Sequence, residues 1–100
     1  MTLGILFSAL NQQGIHDFYH KILGDISKKE LLEFEELVSI YGENNRSIAK
    51  CADALFIHKN TLQYRISKLE KYTGYDIREI DDYLIIKLAF ISYTISKQSN

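Results

Sequence analysis

SIAKCADALFIHKNTLQYRISKLEKY, from Ser47 to Tyr72, reads as a short helix, a tight turn and a second helix that buries one face and offers the other. Ser47 is placed to cap the first helix, its hydroxyl taking an otherwise unpaired amide of the first turn. Ile48, Cys51, Ala52 and Leu55 then recur at helical spacing, with Lys50 and Asp53 facing away. Ala52 is small where two helices must cross closely. Phe56 and Ile57 break the period, and His58 is an unusual but workable cap for the next helix.

In that second helix, Leu62, Ile66 and Leu69 share one side at about 100° per residue. Asn60, Tyr64, Ser67, Lys68 and Lys71 project from the other, with Gln63 and Arg65 on the flanks. A narrow apolar stripe backed by amides, a guanidinium and amines suits a helix that enters the major groove. Amides and guanidiniums bond base edges there, and lysines neutralise phosphates. The pattern alone fits an ordinary amphipathic helix with a wet polar face equally well.

The wording of the stretch goes further. IHKNTLQYRI followed by LEKYTGYD resembles the C-terminal helix-turn-helix of the PucR/CdaR family of bacterial transcription regulators, itself distantly similar to the Fis-type helix-turn-helix. The resemblance runs from about Glu30 to Lys97 and is densest over Ala52–Asp76. Arg46 stands where the family often has Gly, Gln63 where Arg is common, and Ala49 where Ser is frequent. The resemblance implies an all-α fold: a small helical bundle of about five to six helices around a Fis-like helix-turn-helix at about 47–72. It also implies a DNA-binding domain over 27–100, preceded by a short helical joint over 1–26. Family members carry much more chain upstream and sense small metabolites through it. The sequence therefore reads as a fragment of such a regulator, or as one without its sensor, and any small-molecule effector is expected to bind a domain absent here.

Composition is ordinary for one globular domain of 100 residues: 46% hydrophobic and 25% charged, with no Pro and five Gly. A turn-rich β fold and a long disordered linker are both disfavoured. The lone Cys51 on an apolar face excludes a disulfide scaffold, fits a reducing cytoplasm, and reads as a small buried hydrophobe rather than a reactive thiol. Net charge is −1, yet between Asn45 and Lys71 six basic residues oppose Asp53 and Glu70, a local +4 that leaves −5 elsewhere. A basic face on a neutral domain suits docking in one orientation rather than wrapping by DNA on all sides.

Upstream, Thr2–Leu10 (TLGILFSAL) reads as a short helix, too short to span a bilayer and without the basic start or cleavage site of a signal peptide. A second helix, Ile15–Leu23, puts Ile15, Phe18, Tyr19, Ile22 and Leu23 on one side and stops at Gly24. Within it, HDFYH (His16–His20) superficially resembles the zinc-binding H-E-x-x-H helix. Asp17 is a methylene shorter than that Glu, and His58 is the sole further histidine, so no metal site is assigned. Ser27 and Glu30 form a capping box, Ser27 bonding forward and Glu30 back. The helix it opens carries Leu31, Phe34, Leu37, Val38 and Tyr41 on one stripe, and Glu33, Glu35 and Glu36 outward as a solvated face unwelcoming to DNA. Gly42 is expected to end it, and Gly74 to end the second helix of the pair. After the connector YDIREI, Asp81 or Asp82 is expected to cap a last helix running to about Lys97. Leu84, Leu88, Ile91 and Ile95 form one stripe of it, with Ile86, Phe90 and Tyr93 adding apolar area beside it.

Two functions from different classes follow. In the first, the chain is the sequence-specific DNA-binding module of a transcription regulator. Lys59, Asn60 and Gln63 address base edges, Thr61 a base or a phosphate, and Ser47, Lys50 and Lys68 hold phosphates. His58 either touches the DNA or merely caps. Tyr64 and Arg65 match the family's Tyr-Arg pair; they either join that face or serve the fold, the tyrosine against a neighbouring helix and the arginine in an internal ion pair. The expected partners are double-stranded DNA and a second copy of the chain, since one domain can hardly bury the whole apolar last helix and dimers place two reading helices about 34–36 Å apart. In the second, the helix-turn-helix is a scaffold and the apolar last helix or N-terminal segment docks a protein. A Fis-like DNA bender fits less well because the flanks are acidic. No phosphate-cradling glycine loop or nucleophile–base set points to an enzyme, and no cofactor or membrane is implied.

Overall fold

Serines begin the two helices that frame the core. The structure, a computed structural model, describes residues 12–98, and the helix expected at Thr2–Leu10 lies outside them. The described residues form helices α1 (Gln12–Leu23), α2 (Lys28–Glu43), α3 (Ile48–Leu55), α4 (Lys59–Thr73) and α5 (Ile80–Gln98), and no strand. Ser27 Oγ accepts the Glu30 amide at 3.3 Å and Ser47 Oγ accepts the Lys50 amide at 3.2 Å, so each caps its helix as expected.

The whole predicted stripe of α2, Leu31, Phe34, Leu37, Val38 and Tyr41, is buried. It meets Cys51 and Ala52 of α3, Leu62, Ile66 and Leu69 of α4, and Ile77 of the connector in one core. Leu55 and Ile57 pack against it from the rim. Leu62, Ile66 and Leu69 expose no surface, and cutting any one to Ala costs about 2–5 kcal/mol. Burial pushes the Cys51 thiol up, keeping it the protonated, apolar group expected there. Helix α1 packs mainly on α5, with Tyr19 edge-on to Tyr93 at 5.4 Å. Leu23 and Ile26, from the segment read as a joint, belong to the same core.

Two local expectations are corrected. Gly42 does not end α2; the helix runs on to Glu43, and Asn44 caps it. A methyl group at Gly42 would overlap the Tyr83 hydroxyl, so the glycine is there for a close crossing of α2 and α5. Asp81 and Asp82 lie inside the first turn of α5, and Asp82 Oδ2 instead accepts the Asp76 amide at 3.0 Å. The inner face of α5 is Ile86, Ala89 and Phe90, whereas Leu84 is 48% exposed. Because α5 is apolar nearly all round, spacing alone does not choose its buried side.

The turn between α2 and α3 is left-handed twice, at Asn45 (φ 55°) and Arg46 (φ 60°). Arg46 N donates back to Tyr41 O at 2.8 Å and closes the end of α2. A residue without a Cβ adopts this backbone freely; Arg46 bears the strain and sends Nη1 to the Arg78 carbonyl at 3.4 Å.

Candidate nucleic-acid interface

Helix α4 is set by both its ends. His58 Nδ1 accepts the Asn60 amide at 3.0 Å, so the imidazole caps the helix and carries its proton on Nε2. Gly74, at φ 83°, closes the other end by donating to Glu70 O at 2.7 Å. The turn from α3 is made by Phe56, left-handed at φ 58°, followed by Ile57 N donating to Ala52 O. Phe56 is 94% exposed and buries almost nothing in return for that backbone.

With Leu62, Ile66 and Leu69 inside, the opposite side of α4 faces solvent. Asn60, Tyr64 and Lys71 are exposed there, Lys59 is exposed on one flank and Thr61 and Arg65 toward the other, and Lys50 is exposed on α3. Tyr64 stands 68% exposed at the centre, so it is not packed away against a neighbouring helix. Among the described residues Lys50, Lys59 and Arg65 have no ion-pair partner, which leaves the internal pair considered for Arg65 without a carboxylate.

Both flanks of α4 are held. On the α2 side, Glu30 Oε2 lies 3.0 Å from Lys68 Nζ, and Tyr72 OH donates to the same carboxylate at 3.1 and 3.2 Å. The Lys68 hydrogen bond holds the Glu30 carboxyl below its usual range against some desolvation, and in return raises the ammonium. Glu30 is therefore not turned back to the Ser27 backbone as a capping box requires; its link to Ser27 is a long 3.4 Å bond donated by Oγ. Beside this contact, Glu30 and Glu33 face Thr61, Tyr64 and Arg65 across a recess of about 210 Å³.

On the other flank Arg78, from the connector, donates Nη1 to Gln63 Oε1 at 2.8 Å and Nη2 to Ser67 Oγ at 3.4 Å, with Glu70 Oε1 3.6 Å away. Its Nε donates to Asp76 Oδ1 at 2.7 Å. Burial pushes the Asp76 carboxyl up, but the Arg78 hydrogen bonds and charge outweigh it and leave the group below its usual value.

The sequence-predicted set is thus divided. Lys59, Asn60, Thr61, Tyr64 and Arg65 are exposed on α4 and Lys50 on α3. Ser47 and His58 are helix caps, and Gln63 and Lys68 are engaged within the chain. Sequence reasoning missed Arg78, whose partners lie across the Gly74 turn and share no periodicity with it.

His16 and His20 stack at 5.4 Å on α1, and no group of three potential metal ligands occurs among the described residues.

Two helices joined by a left-handed turn, the second anchored by three buried residues and open on its polar side, define a helix-turn-helix domain. The PucR C-terminal helix-turn-helix domain matches residues 35–91, and the chain belongs to that family. It is 30% identical over 86 residues to an uncharacterised protein of Haemophilus influenzae, covering 86% of this chain and 23% of that one. It is 27% identical over 86 residues to the purine catabolism regulatory protein of Bacillus subtilis (84% of this chain, 16% of the relative). Over a shorter stretch of 36 residues it is 47% identical to the carbohydrate diacid regulator of Escherichia coli (36% and 9%). The chain spans less than a quarter of the length of each of these relatives. No solved structure matches it. Membership carries a DNA-binding regulatory role at the level of the family. No helix among the described residues is long and apolar enough to cross a membrane.

Proposed function

We propose that the chain is the sequence-specific DNA-binding module of a PucR-type transcription regulator, with the N-terminal turns of α4 entering the major groove. The observation that supports this best is the set of exposed side chains Lys59, Asn60, Thr61, Tyr64 and Arg65, without internal ion pairs among the described residues, on a helix seated by its buried stripe. Asn60 has the donor and acceptor that an adenine edge requires, and Lys59, Lys50 and Arg65 supply cations for base edges or phosphates. The role is regulatory rather than catalytic and is exercised in the cytoplasm. Residues 27–100 act as the DNA-binding domain, residues 1–26 as the joint to upstream chain, and any effector binds outside this domain.

The module works as a homodimer in this reading, so that two copies of α4 reach successive half-sites. The groove between α2 and α5, about 690 Å³ and lined by Leu32, Ile91 and Ile95 with Lys87 and Glu36 beside them, offers a self-complementary seat for the second copy. The same groove favours the alternative of a protein-docking module on a helix-turn-helix scaffold. Salt separates the two. Binding of genomic duplex fragments, followed by mobility shift, is expected to weaken steeply as ionic strength rises. Absence of duplex binding at low salt overturns the DNA reading.

A further inference from the structure

We infer that Glu30 is a positioning residue for DNA: it occupies Lys68 as a phosphate would and so withholds that amine from the duplex. This rests on the DNA-binding reading above. Glu30 sits on α2, outside the helix-turn-helix, yet its Oε2 lies 3.0 Å from Lys68 Nζ and the Tyr72 hydroxyl donates to both its oxygens. The ammonium and carboxylate cancel, and Glu33 adds a further negative charge on the same wall of the recess beside Thr61, Tyr64 and Arg65. A phosphate approaching Lys68 therefore meets a cation already neutralised and two carboxylates at close range. Lys59, Arg65 and Lys71 of α4, with Lys50 on α3, have no carboxylate partner among the described residues. Lys68 is thus the basic residue of α4 that is withheld, and the group that withholds it is distant in sequence.

The test is the salt dependence of binding, measured by fluorescence anisotropy with the full chain and a mixed-sequence DNA duplex over a series of KCl concentrations. Glu30→Gln releases the amine and is expected to steepen the log–log salt slope by about one unit, the equivalent of one more neutralised phosphate. Glu33→Gln removes the same charge without freeing a lysine and is expected to leave the slope near that of the wild type. The pair Glu30→Gln/Lys68→Ala is expected to restore it. Equal steepening by Glu30→Gln and Glu33→Gln, an unchanged slope in Glu30→Gln, or a gain that survives the added Lys68→Ala would each overturn the inference while leaving DNA binding standing. Failure of the wild type and every variant to bind duplex overturns the DNA reading and this inference with it. Should Glu30→Gln unfold, Lys68→Ala alone decides: a wild-type slope supports the inference, and a slope flatter by about one unit overturns it.

Discussion

Arg78 Nη1 donates to Gln63 Oε1 at 2.8 Å, so a connector residue fastens an amide of α4. The same guanidinium ties α4 to the connector through Ser67, Glu70 and Asp76. Arg78→Ala is therefore expected to destabilise the domain by about 1.5–3 kcal/mol, since it removes charged hydrogen bonds and leaves a partly buried carboxylate unpaired. Urea denaturation measures this, and a loss below about 0.5 kcal/mol would show that the hub does not hold the fold.

Asn60 lies on the open face, and its side chain is not needed by the core. Asn60→Ala is expected to leave the thermal midpoint nearly unchanged and to cost about 1–3 kcal/mol of affinity on a preferred duplex, with relaxed choice at one base pair. Selection from a random duplex library followed by titration reads both effects. An unchanged sequence preference would remove Asn60 from the reading set.

Phe56 combines a left-handed backbone with an aromatic ring that is 94% exposed. That backbone costs an L-residue about 1–2 kcal/mol, and the extra chain entropy of glycine offsets about 0.5–1 of it. Phe56→Gly is expected to raise stability by about 0.5–1 kcal/mol. A lowered midpoint in a thermal melt would mean that the ring contributes packing its exposure does not reveal.

Gly42 and Tyr83 make a sterically specific pair. A methyl at Gly42 overlaps the tyrosine hydroxyl, while the ring carbon Cζ is 3.3 Å from the same point. Gly42→Ala is expected to cost about 1–3 kcal/mol by overpacking. Adding Tyr83→Phe deletes the overlapping oxygen and is expected to recover much of that loss. A double-mutant cycle of denaturation free energies checks the coupling, and strict additivity would contradict it.

Acid should loosen both flanks of α4. Glu30 and Asp76 have folded values below their ordinary 4.5 and 3.8, so the unfolded chain binds more protons in that range. The stability they contribute is complete above those ordinary values and is lost as pH falls through the lower folded ones. Thermal midpoints followed down from neutral pH are expected to fall in acid, and less so in Asp76→Asn, which no longer titrates there. Midpoints that rise in acid would reverse the sign of this linkage.

The framework was legible because it is written locally. Ser27, Ser47 and Gly74 act within a turn of themselves, and the stripe Leu31–Tyr41 is apolar on one side only, so its burial follows from spacing. The same locality misplaced other features. Glu30 three residues after Ser27 suggests a capping box, but its carboxylate is spent on Lys68 and Tyr72, far along the chain. Lys68 and Gln63 looked free for the same reason, because the groups that engage them come from α2 and the connector. Gly42 reads as a stop when its contact with Tyr83 is invisible. On α5 the apolar residues encircle the helix, and periodicity carries no phase to read.

The seating of α1 also decides how a mechanical signal travels. Because α1 leans on α5 through Tyr19 and Tyr93 and touches α4 only lightly, a torque arriving at Gln12 is absorbed first by the closing helix. It reaches the exposed side of α4 second-hand, through the α2 wall or the Arg78 strut. A push on α1 would then tilt α4 about its two tethers rather than tug on it directly.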